Sequence, residues 1–235
     1  MRVTVDTVFS ECRLGAVLCE GAERLKDFSP RSVDREMATL SALRLLDVCV
    51  SMHAPLMGAV RATDSSLIVA SLDSLFLTAL MGNPAVTYVA VIACYLTQAE
   101  LFPEHAYYAV SILRELSACR PSLQTRLVQA FSPLAVELID SCARLTSVKV
   151  NPIDASPLDP PCYHGVSGLP LEKIRGETVR SFIEMCSSSL ECDPSRANLA
   201  YFFCGFNMSD LKNSIIEDPG KALLGFNLWT KKQLF

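Results

Sequence analysis

The residues with the most chemical potential in this chain are its ten cysteines and three histidines. His53 follows an apolar run, His105 sits in Pro103-Glu104-His105-Ala106, and His164 lies in Cys162-Tyr163-His164. Glu104-His105 is an acid–base pair only if tertiary structure brings a third group to it. The plainer expectation is a helix start, where a glutamate is favourable against the dipole. Cys162, His164, Cys186, Cys192 and Cys204 fall in the second half of the chain. They lack the paired C-x₂₋₄-C spacing of a structural zinc site, so no metal is expected. Gly165-Val166-Ser167-Gly168 resembles a nucleophile elbow superficially, but position 169 is leucine and no strand precedes it. There is no phosphate-binding glycine loop and no GxGxxG. These patterns predict a protein without catalysis and without a cofactor.

The thiols are expected to be free. Asp6 and Glu11 interrupt what would have to be the apolar part of a secretory signal. A chain without such a signal stays in a reducing cytosol or nucleus. Cys49 in Asp47-Val48-Cys49-Val50 and Cys94 in Val91-Ile92-Ala93-Cys94-Tyr95 read as small buried hydrophobes. In that compartment the sequon Asn207-Met208-Ser209 carries no glycan.

Half of the 235 residues are apolar and one fifth are charged, with a net charge of −4. Such a chain can bury a large core, which excludes disorder of its bulk. An acidic balance also excludes nucleic-acid binding by bulk charge, leaving only a local patch. The longest apolar stretch, Val86 to Leu96, falls short of the roughly 20 residues of a membrane span, and Asp73 interrupts Ser65 to Met81. Spanning is therefore not expected, and these runs leave attachment to a membrane surface open.

The elements that position these residues read as all-α. Apolar residues at Val33, Met37, Leu40, Leu43, Leu46 and Val50 form a helical stripe. Asn83-Pro84, Ser132-Pro133 and Asp193-Pro194 each read as a capping residue followed by proline in a first turn. Helices are predicted over 6–26, 32–50, 65–81, 84–99, 104–119, 122–131 and 133–147. Five prolines and two glycines between Asn151 and Pro170 mark a connector. Helices over 171–190, 194–204 and 209–217 follow, and an amphipathic piece from Lys221 to Phe235 carries Trp229 beside Lys231 and Lys232. The predicted organisation is a multi-helix bundle over 1–150, a proline-rich connector over 151–170 and a smaller helical region over 171–235.

Between Arg61 and Arg114 only Asp64, Asp73, Glu100 and Glu104 are charged. Helices so poor in charge are expected at the centre of the bundle, ahead of an interface with another subunit. Beyond them Arg114, Arg120, Arg126, Arg144 and Lys149 are candidates for a cationic face, although solvated surface charge is the plainer expectation. If that face holds anionic lipid, replacing Arg114, Arg120 and Arg126 by glutamate abolishes binding and leaves the fold intact.

Pro55-Leu56-Met57-Gly58, Ala79-Leu80-Met81-Gly82-Asn83, Phe102 to Ala106 and Ile139-Asp140-Ser141-Cys142 occur in the order of landmarks in orthomyxovirus matrix proteins. The chain resembles that family over about residues 50–145. The resemblance implies a helical, non-enzymatic virion protein. Such a protein self-associates into a layer beneath an anionic membrane and links it to the viral ribonucleoprotein. There are departures. Val86 to Leu101 lacks the basic run of the influenza members, no histidine stands near Cys142, and the chain is acidic. No binding residue is carried over. The other readings are a helical adaptor or tegument-type protein binding one partner chain, and an enzyme built from scattered residues.

Overall fold

The computed structural model describes residues 14–26, 33–63, 75–80, 83–118, 121–147 and 170–206. The fold is all-α. Among the described residues the helices are α1 (Leu14–Lys26), α2 (Val33–Thr63), α3 (Tyr88–Cys94), α4 (Pro103–Ser117), α5 (Pro121–Phe131), α6 (Ala135–Ser147), α7 (Leu171–Cys192) and α8 (Leu199–Phe203). Two short strands, β1 (Ala79–Leu80) and β2 (Asn83–Thr87), pair antiparallel, with Ala79 opposite Thr87 and Leu80 opposite Asn83.

α4 packs against both α2 and α7. Ala106, Ala109, Val110, Ile112, Leu113 and Leu116 all lie within its buried surface. α3 is buried from Val89 to Cys94. The segment poor in charge is therefore the centre of the molecule, where an ion would lose its hydration without return. α7 and α8 add Phe182, Met185, Leu199, Phe202 and Phe203 to the same apolar cluster as Leu18, Leu43 and Ile92. The helices on either side of the proline-rich segment thus share one core.

None of the three proline starts behaves as predicted. Asn83-Pro84 opens β2, and the helix begins only after Thr87, whose Oγ1 accepts from Ala90 N at 3.4 Å. Val86 and Thr87 are β-branched, and a strand partner was within reach. The predicted helix over 65–81 is accordingly corrected at its C-terminal end, where β1 stands; residues 64–74 lie outside the described residues. Ser132-Pro133 forms a 3₁₀ turn, and the Ser132 hydroxyl donates back to Val128 O instead of capping. After Asp193-Pro194 the chain turns, and α8 starts at Leu199 with Asn198 as its cap.

α2 also overruns its predicted end at residue 50. It continues through Pro55 to Thr63, so His53 lies inside the helix. Ala54, Leu56, Met57, Ala59 and Ala62 favour helix, and the donor missing at Pro55 falls on an exposed face. The expected stripe is buried at Leu40, Leu43, Leu46 and Val50, whereas Val33 and Met37 are exposed. α1 approaches closely because of its glycines: a Cβ on Gly21 would overlap Thr39 Cγ2 and the Tyr95 hydroxyl. That hydroxyl donates to Leu18 O at 2.9 Å.

A buried amide ties the two halves together. Gln124 Nε2 donates to Ser117 O at 2.8 Å and to Ser189 Oγ at 3.0 Å, while its Oε1 accepts from Leu199 N at 3.1 Å. One side chain thus serves a carbonyl at the end of α4 and the first amide of α8, both groups that a helix leaves unpaired. Asn198 completes that start, accepting from Tyr201 N and donating to Asp193 O and Arg196 O.

Candidate functional site

Glu104 and His105 open α4 and are both buried. His105 stacks on Tyr95, with ring centroids 5.7 Å apart, and meets Phe102 edge-on. Its Nε2 lies 3.0 Å from Thr39 Oγ1 and 3.1 Å from Glu36 O. A carbonyl can only accept, so Nε2 carries the proton. This imidazole locks α4 to α2 and is walled by aromatic rings, which is the geometry of a core histidine. His164 lies outside the described residues.

A second polar contact lies further along the same helix pair. Asp47 of α2 bonds to Ser111 of α4, and its Oδ1 is buried with no hydrogen-bond partner. Burial pushes the Asp47 carboxyl above its ordinary range; the Ser111 hydrogen bond opposes this, and Glu115 adds to it.

The thiols divide. Cys94 and Cys142 are buried, as small hydrophobes are, and Cys19, Cys186, Cys192 and Cys204 are half-buried. Cys49 is exposed, which corrects the expectation for it: its residue lies on the face of α2 that points away from the core. Burial, with Cys204 nearby, pushes the Cys186 thiol up to about 12, so it is protonated and unreactive at neutral pH. Cys162 lies outside the described residues. Among the described residues no group of three or more His, Cys, Asp or Glu is placed to hold a metal ion.

Among the described residues, two of the cationic candidates, Arg114 and Arg144, lie beside carboxylates. Arg114 is half-buried and paired with Glu115 and with Glu184 of α7, each at 3.0 Å. It is a bond between helices, so exchanging it for glutamate would set three carboxylates together. The expectation that such a change leaves the fold intact is corrected for Arg114. Arg144 donates to Ser141 Oγ at 3.1 Å and lies 4.0 Å from Glu100. Arg126 is exposed on α5. Arg120, Lys149, Trp229, Lys231 and Lys232 lie outside the residues whose side chains are described.

The surface feature that sequence reasoning missed is the outer face of α2. Leu45, Val48, Met52 and Leu56 are 55%, 58%, 56% and 59% exposed. Ala38, Ser41, Pro55, Ala59 and Ala62 are also exposed, and with Leu45, Val48 and Met52 they recur at alternating steps of three and four residues, with Leu56 beside Pro55. The exposed residues between Leu45 and Ala59 include no charge. The signal was present, since α2 is apolar on two faces, but the stripe that reaches the core concealed the other. α2 is also long and apolar enough, by length and composition, to cross a membrane, with a mean hydropathy of 1.3 over its most apolar window. The search for apolar runs passed over this helix, which meets the test by length and composition only. Leu43, Leu46 and Val50 of this stretch are nevertheless packed into the core.

No protein family matches the chain, and neither a curated protein nor a solved structure is similar to it.

Proposed function

We propose that this protein is a non-enzymatic structural protein that works by association, as orthomyxovirus matrix proteins do. On this reading it self-associates into a layer on the inner surface of a membrane and links that layer to a ribonucleoprotein. The observation that carries the reading is the uncharged, apolar outer face of α2. Four large side chains more than half exposed present on the order of 400 Å² of apolar surface, a size at which a patch on a monomer is commonly functional. The commitment of His105 to contacts that hold α4 on α2 supports the same reading.

The pairing of Arg114 with Glu115 and Glu184 favours a second reading, a helical adaptor that binds one partner chain without lipid. Co-sedimentation with anionic and neutral vesicles at low and high salt separates the two. A protein coat on anionic vesicles that is lost at high salt supports the matrix-type role. Protein that stays in the supernatant under all four conditions refutes it and leaves the adaptor.

A further inference from the structure

We propose that the occupant of the exposed α2 face is the same face of a second copy, packed antiparallel about a two-fold axis at position 50. This rests on the reading of the protein as self-associating and names one contact that does it; a two-fold contact closes at a dimer, so a layer needs a second contact elsewhere on the molecule.

The first argument is the pattern. Ala38, Ser41, Leu45, Val48, Met52, Pro55, Ala59 and Ala62 are separated by steps of three or four that alternate along the helix, and all are exposed. That is the repeat of 3.5 residues by which one helix keeps a seam turned toward another. A core-facing helix in a globular protein needs one apolar stripe, and α2 already spends Leu40, Leu43, Leu46 and Val50 on its own core.

The second argument is self-complementarity. In an isologous contact residue i meets residue j and j meets i, so the surface must match itself reversed. About position 50, Val48 falls opposite Met52, Leu45 opposite Pro55 and Leu56, Ser41 opposite Ala59, and Ala38 opposite Ala62. Large residues meet large ones at the centre, and small meet small at both ends. A charge near the axis would face its own copy, and the exposed residues from Leu45 to Ala59 contain none. Arg44 stands at the margin, where its stem covers apolar surface while its head stays in water.

The third argument is area. The four large side chains and the smaller residues beside them bury, over two copies, on the order of 1,200 Å², the lower bound of a stable specific interface. A dimer of moderate affinity follows.

Cys49 supplies the test. It is exposed on the flank of the stripe, one residue from the axis. Antiparallel pairing brings the two Cys49 residues to about 3 Å of each other along the helix axis, from a rise of 1.5 Å per residue. Full-length protein is treated with a short bismaleimide at concentrations that span the dissociation constant, and linked peptides are mapped by mass spectrometry. Cys49→Ser serves as the control, and Val48→Glu/Met52→Glu as the disrupting variant, with circular dichroism to check its helices. The expected result is a dimer by light scattering, a dominant Cys49–Cys49 cross-link that the control lacks, and a dissociation constant raised at least 100-fold in the folded double variant. An oligomer that persists in the double variant without the Cys49 link overturns this face but leaves self-association standing. A monomer at every concentration overturns both. A folded double variant that loses only its vesicle binding, with its oligomeric state unchanged, assigns the stripe to lipid and also overturns the proposal.

Discussion

Replacing Gln124 by methionine tests whether the helices after the proline-rich segment are structurally part of the first bundle. The change keeps an unbranched side chain of similar volume, so little of its effect comes from a cavity. It removes three bonds. Leu199 N–H, buried at the start of α8, loses its acceptor. Orphaning a buried donor costs about 1–3 kcal/mol. Ser117 O loses a donor at the end of α4. Ser189 Oγ suffers less, because it still donates to Met185 O at 2.7 Å. These two losses add about 1 kcal/mol together, for a total of about 2–4 kcal/mol. That is a large share of the roughly 5–15 kcal/mol that holds a domain folded. Urea unfolding followed by far-ultraviolet circular dichroism measures it, with the wild-type and variant m-values compared. Amide exchange at Leu199 should accelerate in the variant more than exchange in α3. A loss below about 0.5 kcal/mol, within the range of an ordinary surface substitution, would refute the account of Gln124 as the tie between α4 and α8.

Asp47→Asn should stabilise the fold, by about 1 kcal/mol at neutral pH, because a half-buried carboxylate is replaced by a neutral amide. The sign follows from a carboxyl whose folded pKa is raised. Its contribution is fully present below the unfolded value, near 4, and is lost as pH rises through the folded value. Wild-type urea midpoints should therefore fall relative to those of the variant between pH 4 and 7, and parallel profiles would exclude this. Gly21→Ala should destabilise by about 1–3 kcal/mol, since the new methyl meets Thr39 and Tyr95 in a packed core; a thermal scan reads it. Iodoacetamide at pH 7.5, followed peptide by peptide, should label Cys49 well before Cys94, Cys142 and Cys186. Equal rates would contradict the burial of Cys94 and Cys142 and the partial burial of Cys186.

Much of the fold was legible because helix periodicity and charge depletion are local signals. The centre at α3 and α4 follows from a long segment nearly without ions, and α7 was placed at 171–190 against an observed Leu171–Cys192. The proline starts were legible only as breaks. Whether a break becomes a helix start, a strand or a 3₁₀ turn depends on what lies across from it, as Leu80 lies across from Asn83. The role of Gln124 was not legible at all, since its partners are 7, 65 and 75 residues away in the chain. The same holds for Arg114, whose partner on α7 is 70 residues distant.

By itself, then, the order of residues determined the all-α class and the central position of the charge-poor helices, because burying ions without partners is too costly for any alternative. Tertiary structure decided which apolar face of α2 is inside and which is displayed. Both faces carry leucine and valine at helical spacing, and hydrophobicity alone does not rank them. The bond from His105 to Thr39 and Glu36 and the fit of α1 at Gly21 turn Leu40, Leu43 and Leu46 inward, which leaves Leu45, Val48, Met52 and Leu56 facing out.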